Sequence, residues 1–265
     1  MLGTTKIYGC IADPIDHVKA PTIFTSIFKE KKIDAVMVPI HINKDNLPNV
    51  ITSLKKIKNF EGMTVTIPHK TSITNLCDHL EQDAQFTQSV NWIKFDKDRK
   101  LIGNNFDGQG FVAGFLGQNF LIKNKNVCIY GAGGAAVSIA CSLAKQKIKS
   151  LQIINRNFAK ANELIKKIKV IDKNLFVKAT EYKDDNLLND YDIIINATSL
   201  GLHKDDKPPF DVSNTSPNSV IADIIMQPLE TELLKKAKNL GRPVHYGKYM
   251  IESQIDLVGN FLDLW

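Results

Sequence analysis

The chain has 265 residues, 43% hydrophobic and 23% charged, with 15 Gly and 10 Pro. This composition excludes disordered, collagen-like and low-complexity classes, and the length allows two domains of roughly 150 residues or less. The formal charge of +6 sits on lysines scattered over helix-like segments (29–32, 55–58, 166–169 and 235–238), which speaks against nucleic-acid binding but would attract anionic metabolites.

Short apolar runs alternate with helical patterns from end to end. Strands are expected at Lys6–Ile11, Ala35–Pro39, Gly62–Ile67, Ser89–Phe95, Val127–Tyr130, Leu151–Asn155, Ile193–Ala197 and Val220–Asp223. Apolar residues at three- and four-residue spacing predict helices at Pro21–Lys31, Asn46–Lys56, Gly108–Leu116, Ala135–Gln146, Ala159–Ile168 and Thr231–Leu240, with a last apolar helix over Met250–Leu264. The alternation predicts an α/β fold with mostly parallel sheets covered on both faces. The polar, glycine-rich stretch Phe106–Gly110 is the natural boundary between two lobes, and a cleft between lobes is a common place for cofactor and substrate to meet.

Cys10, Cys77, Cys128 and Cys141 form no CxxC pair and no metal spacing, so no disulfide framework and no metal are expected, and a reducing cytoplasm is the expected location. The first residues lack the basic start and apolar run of a signal peptide. Val127–Ala144 carries no charge over 18 residues. That approaches the length of a membrane span, but the glycines near its start read as a strand, a tight turn and a helix, so no membrane contact is expected. His41, His69, His79, His203 and His245 have no metal spacing and are expected on the surface or in loops.

Val127–Tyr130 runs directly into Gly131-Ala132-Gly133-Gly134-Ala135-Ala136 and then a helix, the context that makes G-x-G-x-x-A informative. Gly131 would permit the tight turn, Gly133 would let backbone approach a pyrophosphate, and Ala136 would allow close helix packing. The anion would rest on the unpaired N–H groups of the helix start. The next strand ends at Asn155-Arg156, where an acidic residue would hold the ribose hydroxyl of NAD. Arg156 and Lys160 stand there instead, which favours the 2′-phosphate of NADP, the alternative being two solvated charges at a helix start. Asn196-Ala-Thr198-Ser199-Leu-Gly201 is a polar turn at the carboxyl end of an isoleucine run, the edge where ligands of open sheets gather, and Thr198 and Ser199 are expected on the nicotinamide side. Pro68 makes the chain turn so that Lys70 enters a loop at a strand's carboxyl end.

The order of motifs resembles the shikimate/quinate dehydrogenase family over essentially the whole chain. The matching pieces are Pro14-Ile-x-His17, Val65-Thr66-x-Pro-x-Lys70, Ser89-Val-Asn91, Gly103-x-Asn105-x-Asp107-Gly, Gly131-Ala-Gly-Gly-Ala-Ala136, Asn155-Arg156, Asn196-Ala-Thr-Ser-x-Gly201, Pro228-x-x-Thr231 and Gly247-x-x-Met250-x-x-x-Gln254. Each is weak alone; the order makes them specific. The resemblance implies a substrate-binding lobe over 1–107 with a returning helix over 247–265, a Rossmann-type NADP-binding lobe over 108–246, and a monomer or homodimer. It implies that Lys70 and Asp107 flank the reacting hydroxyl, that Thr66, Asn91, Met250 and Gln254 contact substrate, and that Gly247 joins the cofactor residues. Oxidising a carbinol requires its proton to leave as hydride goes to the nicotinamide. Burial lowers the pKa of an ammonium and a neighbouring carboxylate raises it, so the base is set by two opposed effects.

The chain departs from the family at one end of the substrate. Where the family has two serines whose hydroxyls bind the shikimate carboxylate, this chain reads His17-Val18-Lys19-Ala20-Pro21. Polar positions elsewhere have become Thr64, Trp92, Phe106 and Met226. Each charged hydrogen bond lost would weaken binding by roughly 1.5–3 kcal/mol, unless Lys19 turns inward. The sequence therefore predicts an NADP-dependent oxidoreductase of this family acting on shikimate or a related cyclic polyol or hydroxy acid. An authentic shikimate dehydrogenase and a non-catalytic NADP-binding regulatory protein are the alternatives. Trp92 and Phe106 would either narrow the pocket or fill core, and His17 would either sit near the substrate or be structural.

Overall fold

The first half opens with three parallel strands, β1 (Lys6–Ala12), β2 (Ala35–His41) and β3 (Phe60–Val65), joined through helices α1 (Ala20–Glu30) and α2 (Leu47–Leu54). The computed structural model describes residues 1–16, 18–182 and 187–265; His17 lies outside them. Helix α1 begins where Pro21 occupies its first turn, a position that needs no N–H donor, and it buries Phe24 and Phe28, four residues apart on one face. Short elements follow: β4 (His79–Leu80), α3 (Gln82–Thr87), β5 (Trp92–Phe95) and β6 (Leu101–Asn104). The sheet order is β2-β1-β3-β5-β6-β4. Six strands therefore stand where four were expected, and the sheet is mixed, because β5 runs antiparallel to both β3 and β6.

The second half contains α4 (Asp107–Gly117), β7 (Asn126–Tyr130), α5 (Gly134–Ala144), β8 (Ser150–Asn155), α6 (Phe158–Ile171), β9 (Phe176–Glu181), β10 (Ile193–Asn196), β11 (Val220–Asp223), α7 (Glu232–Asn239), β12 (Val244–His245) and α8 (Lys248–Glu252). Its six strands are all parallel, in the order β12-β11-β10-β7-β8-β9. Chain order thus reverses between β7 and β10. This is the doubly wound arrangement whose crevice lies at the carboxyl ends of those two strands. The uncharged stretch Val127–Ala144 is β7, the turn and α5, and no helix among the described residues is long and apolar enough to cross a membrane.

The chain divides into two compact units, Met1–Phe106 with Asp256–Trp265, and Asp107–Ile255. The division falls between Phe106 and Asp107, and Asp107–Gly110 form the first turn of α4. The expected helix over Met250–Leu264 is interrupted. Helix α8 ends at Glu252, and α9 (Ile255–Phe261) carries the chain back into the first unit. Residues 247–255, expected with the substrate lobe, belong to the second unit, where Met250 joins the core around β7 and α5.

One expectation for histidines is corrected: His245 lies in β12 and not on the surface or in a loop, while His69 stands in the turn after β3. His69 and His245 are fully buried, whereas His41, His79 and His203 are exposed. The ring of His69 is 2.7 Å through Nε2 from the carbonyl of Ile42. That of His245 is packed among Phe111, Phe115 and Tyr249 at centroid distances of 5.2, 5.1 and 5.3 Å.

Candidate active site

In the second unit the glycine turn has the form its sequence requires. Gly131 adopts φ +113°, and a Cβ there would lie 2.7 Å from the carbonyl oxygen of Ala197, so only glycine fits. Its N–H donates to Ile154 O at 2.8 Å, tying the turn to β8. Gly133 is the N-cap of α5 and offers no side-chain acceptor to the first N–H groups of the helix. A Cβ on Gly133 would meet nothing within 4 Å, so this backbone faces open space. Unpaired N–H donors beside open space suit an anion, and Ala132, Gly134 and Ala135 complete the turn around it. Ala136 is buried in the core beneath, as close helix packing demands.

At the end of β8 the side chain of Asn155 donates to Asn157 O at 2.8 Å, and Asn157 caps α6 by accepting from Lys160 N at 3.1 Å. That cap leaves the side chains of Arg156 and Lys160 exposed, with no ion pair to either among the described residues and no acidic residue in the first turn of α6. Two cations beside a helix start oppose its dipole, an arrangement that an anion would relieve. At the end of β10, the fully buried Asn196 organises the next turn: its Oδ1 accepts from Thr198 N at 3.0 Å and Thr198 Oγ1 at 2.7 Å, and its Nδ2 donates to Leu200 O at 2.9 Å. Thr198 is half-buried and Ser199 exposed. Gly247 is buried, with no room for a Cβ beside the carbonyls of Ile224 and Ile225.

Asp107 opens α4 and is 4% exposed. Gly108 N donates to Ser138 Oγ at 2.8 Å, which seats that helix start on α5. One turn on, a Cβ at Gly110 would stand 2.3 Å from Met250 O and 2.4 Å from Gln254 Cγ, so the bare backbone of α4 is what admits the end of α8. The structure thus brings Asp107, Met250 and Gln254 together with the helix that carries the glycine turn.

In the first unit, Thr66 and Lys70 follow the carboxyl end of β3, and both are half-buried. Thr66 N donates to Ile11 O at 3.0 Å and Asp13 N to Ile67 O at 3.1 Å, which joins this turn to the end of β1. Lys70 O accepts from Val90 N and Asn91 O from Val65 N, each at 2.8 Å, so the Lys70 and Asn91 turns are laced together. Asn91 is buried and its Oδ1 accepts from Phe106 N at 2.9 Å. Lys19 is the N-cap of α1, exposed and without a capping bond.

A family model described as shikimate dehydrogenase substrate binding domain matches residues 10–93, and one described as shikimate / quinate 5-dehydrogenase matches residues 116–223. The shikimate dehydrogenase (NADP(+)) of Methanosphaera stadtmanae is 37% identical over 257 residues, spanning 95% of this chain and 89% of the relative. The chain belongs to the shikimate dehydrogenase family. Among solved structures, a shikimate dehydrogenase in complex with NADP+ superposes with a TM-score of 0.91 at 35% identity, covering 99% of this chain and 91% of the other. The ligand-free 5-ketofructose reductase of a Gluconobacter strain superposes with a TM-score of 0.88 at 28% identity, covering 97% and 92%. The members named here as dehydrogenases are NADP-dependent oxidoreductases acting on CH–OH groups.

In this shikimate dehydrogenase family member, four of the positions singled out in the sequence, Val18, Ala20, Trp92 and Phe106, meet in one apolar cluster. Trp92 and Phe106 are 3% and 5% exposed and belong to a cluster with Tyr8, Phe24 and Phe28, against which Val18 and Ala20 pack. The Phe24 and Trp92 rings lie 4.8 Å apart between centroids. Both side chains are buried in this cluster. Sequence reading missed Ser138 and Asp223, which fix the start of α4 and the turn after β10. Asp223 had a legible signal, a carboxylate closing the apolar strand VIAD.

Proposed function

We propose that the protein interconverts a secondary alcohol and a ketone with NADP as the redox partner, on shikimate/3-dehydroshikimate or a related cyclic compound, with the carboxylate end of the substrate site altered. When bound, the dinucleotide supplies the carbon that accepts or returns hydride. The glycine turn 131–135 receives its pyrophosphate on the first N–H groups of α5, while Asn155, Arg156 and Lys160 receive the 2′-phosphate. Thr198, Ser199 and Gly247 line the nicotinamide half. Lys70 takes the hydroxyl proton at Nζ during oxidation and returns it during reduction. Asp107 is the carboxylate that the family pattern pairs with this lysine. Asn91, Thr66, Gln254 and Met250 hold the ring of the substrate. The observation that carries this reading is the family membership together with a glycine turn whose N–H groups face open space.

The altered carboxylate end is supported by the shared apolar cluster of Val18, Ala20, Trp92 and Phe106. A carboxylate desolvated there would find Lys19 as its one cation on the same segment and no hydroxyl on Val18 or Ala20. The similarity to a 5-ketofructose reductase is in keeping with a member of this fold acting on a different carbonyl compound. The second reading, an authentic shikimate dehydrogenase, is favoured by the names of relatives that are 33–37% identical. Steady-state NADPH oxidation with 3-dehydroshikimate beside neutral cyclic ketones and ketoses decides between them. Efficient 3-dehydroshikimate turnover would exclude the altered site; turnover of none of these compounds would exclude the enzyme.

A further inference from the structure

The second unit contains a buried carboxylate that no step above uses. Asp223, the last residue of β11, is 0% exposed and has three donors around it, none of them a cation. Its Oδ1 accepts from Ile225 N at 3.0 Å and from Asn196 Nδ2 at 3.2 Å, and its Oδ2 accepts from Thr231 Oγ1 at 2.8 Å. Burial raises its carboxyl to about 6 while the three donors pull the other way, so at neutral pH it is an anion held by dipoles alone.

The consequence of this arrangement lies one residue away from it. An asparagine amide has two chemically distinct ends, and which way it points is set by its partners. Asp223 and the Leu200 carbonyl can only accept, so together they fix the NH₂ end of Asn196, and Oδ1 then faces Thr198, where it collects both the backbone and the hydroxyl of that residue. Thr198 Oγ1 in turn accepts from Leu200 N at 3.1 Å. Asp223 thus holds the Asn196 end of this turn, while Asp206 holds the other by accepting from Gly201 N at 3.0 Å. The turn stands beside Gly131, where a Cβ would lie 2.7 Å from Ala197 O.

We propose that Asp223 is a positioning residue for the nicotinamide half of the dinucleotide, acting through Asn196 on the Thr198–Ser199 turn without touching the cofactor itself. The proposal rests on the cofactor reading given above. It predicts that the two halves of the cofactor respond differently when Asp223 changes, because the adenosine 2′-phosphate half is held at the end of β8, away from this network.

The test measures binding of NADPH and of adenosine 2′,5′-bisphosphate, a probe lacking the nicotinamide half, to the wild type and to two variants. Asp223→Ala leaves Asn196, Ile225 and Thr231 without their acceptor; NADPH affinity is expected to fall at least tenfold and that of the bisphosphate less than twofold. Asp223→Asn keeps one oxygen for Asn196 and Ile225 and presents its NH₂ to the Thr231 hydroxyl, which can accept, so NADPH affinity is expected to return to within about threefold of wild type. Should Asp223→Ala not fold, Asp223→Ser, which retains one acceptor but cannot span the donors, takes its place with an intermediate loss. Equal losses for both probes, or unchanged NADPH binding in the alanine or serine variant, would overturn the inference alone. Failure of the wild type to bind NADPH would overturn the cofactor reading as well.

Discussion

Replacing His245 by Phe should stabilise the second unit, and by more in mild acid than at neutral pH. The ring of His245 is wholly buried among Phe111, Phe115 and Tyr249, and neither ring nitrogen has a hydrogen-bond partner among the described residues. Burial disfavours the imidazolium and lowers its pKa from 6.5 to about 4. The folded state therefore takes up its proton only near pH 4, whereas the unfolded chain does so near 6.5. The stability associated with this group is complete above about 6.5 and is lost as pH falls toward 4. At about 1.4 kcal/mol per pH unit the full loss is roughly 3 kcal/mol, of which about 2 kcal/mol falls between pH 7 and pH 5. Asp223 works in the opposite sense: its carboxyl is raised from 3.8 to about 6, so its contribution grows as pH falls through that window. The two nearly offset each other in the wild type, and a pH scan of the wild type alone would hide both. The difference between wild type and His245→Phe cancels the Asp223 contribution. Trp92 and Trp265 both lie in the first unit, so far-UV circular dichroism during urea unfolding is the appropriate signal. The variant is expected to gain about 1–3 kcal/mol at pH 7 from removing unpaired buried nitrogens, and about 2 kcal/mol more at pH 5. A gain that is the same at both pH values to within about 0.5 kcal/mol would refute the assignment of a buried, neutral imidazole.

Lys70→Ala is expected to lower kcat by roughly 10²–10⁴, the usual worth of a positioned proton carrier, with NADPH affinity unchanged; steady-state kinetics beside direct NADPH titration reads both. Arg156→Ala should weaken NADPH by about 1.5–3 kcal/mol and leave NADH nearly unaffected, measured as the ratio of their kcat/KM values. Gly131→Ala forces a side chain into φ +113° and to within 2.7 Å of Ala197 O, so NADPH binding should be lost and the melting temperature lowered. Ala20→Ser restores one hydroxyl on the segment proposed to have lost its carboxylate contacts, so kcat/KM for shikimate is expected to rise roughly tenfold; an unchanged value would show that position 20 does not face the substrate.

The parts of the fold that sequence made legible are those in which one signal repeats. Val220–Asp223 was bounded correctly because four residues of an all-buried parallel strand leave no ambiguity of period, and β7 followed by its glycine turn was clear for the same reason. β9 escaped because it is the sheet edge: FVKATE is half-exposed, with Phe176 in solvent, and carries no continuous apolar run. β4 and β12 have two residues each, below any usable period. The apolar spacing from Met250 to Leu264 runs through Ser253 and Gln254 without a break, yet the helix stops there. What divides it is tertiary: the bare backbone of Gly110 receives Met250 and Gln254, a contact with no local signature. The burial of His69 and His245 has a related cause, since it depends on which rings and carbonyls reach them from elements distant in sequence.

Topology explains why the cofactor-side residues fall where they do. Gly131, Asn155, Asn196 and Asp223 each stand at or just beyond the carboxyl end of a parallel strand, β7, β8, β10 and β11, and the first and third flank the point where strand order reverses. The sheet fixes these four positions relative to one another before any side chain contributes, so the chemistry at each can be read separately: no Cβ at Gly131, cations after Asn155, an oriented amide at Asn196, an acceptor at Asp223. The substrate side is different in kind. Val18, Ala20, Trp92 and Phe106 come from a loop, a helix start, a strand and a chain crossing, and they share one apolar cluster. A hydroxyl at the buried positions 92 or 106 would be enclosed by this cluster, at a cost of about 1–3 kcal/mol where it finds no partner. On the proposed reading, substrate selectivity would rest on these residues as a packed group, with positions 92 and 106 changing only together with their neighbours.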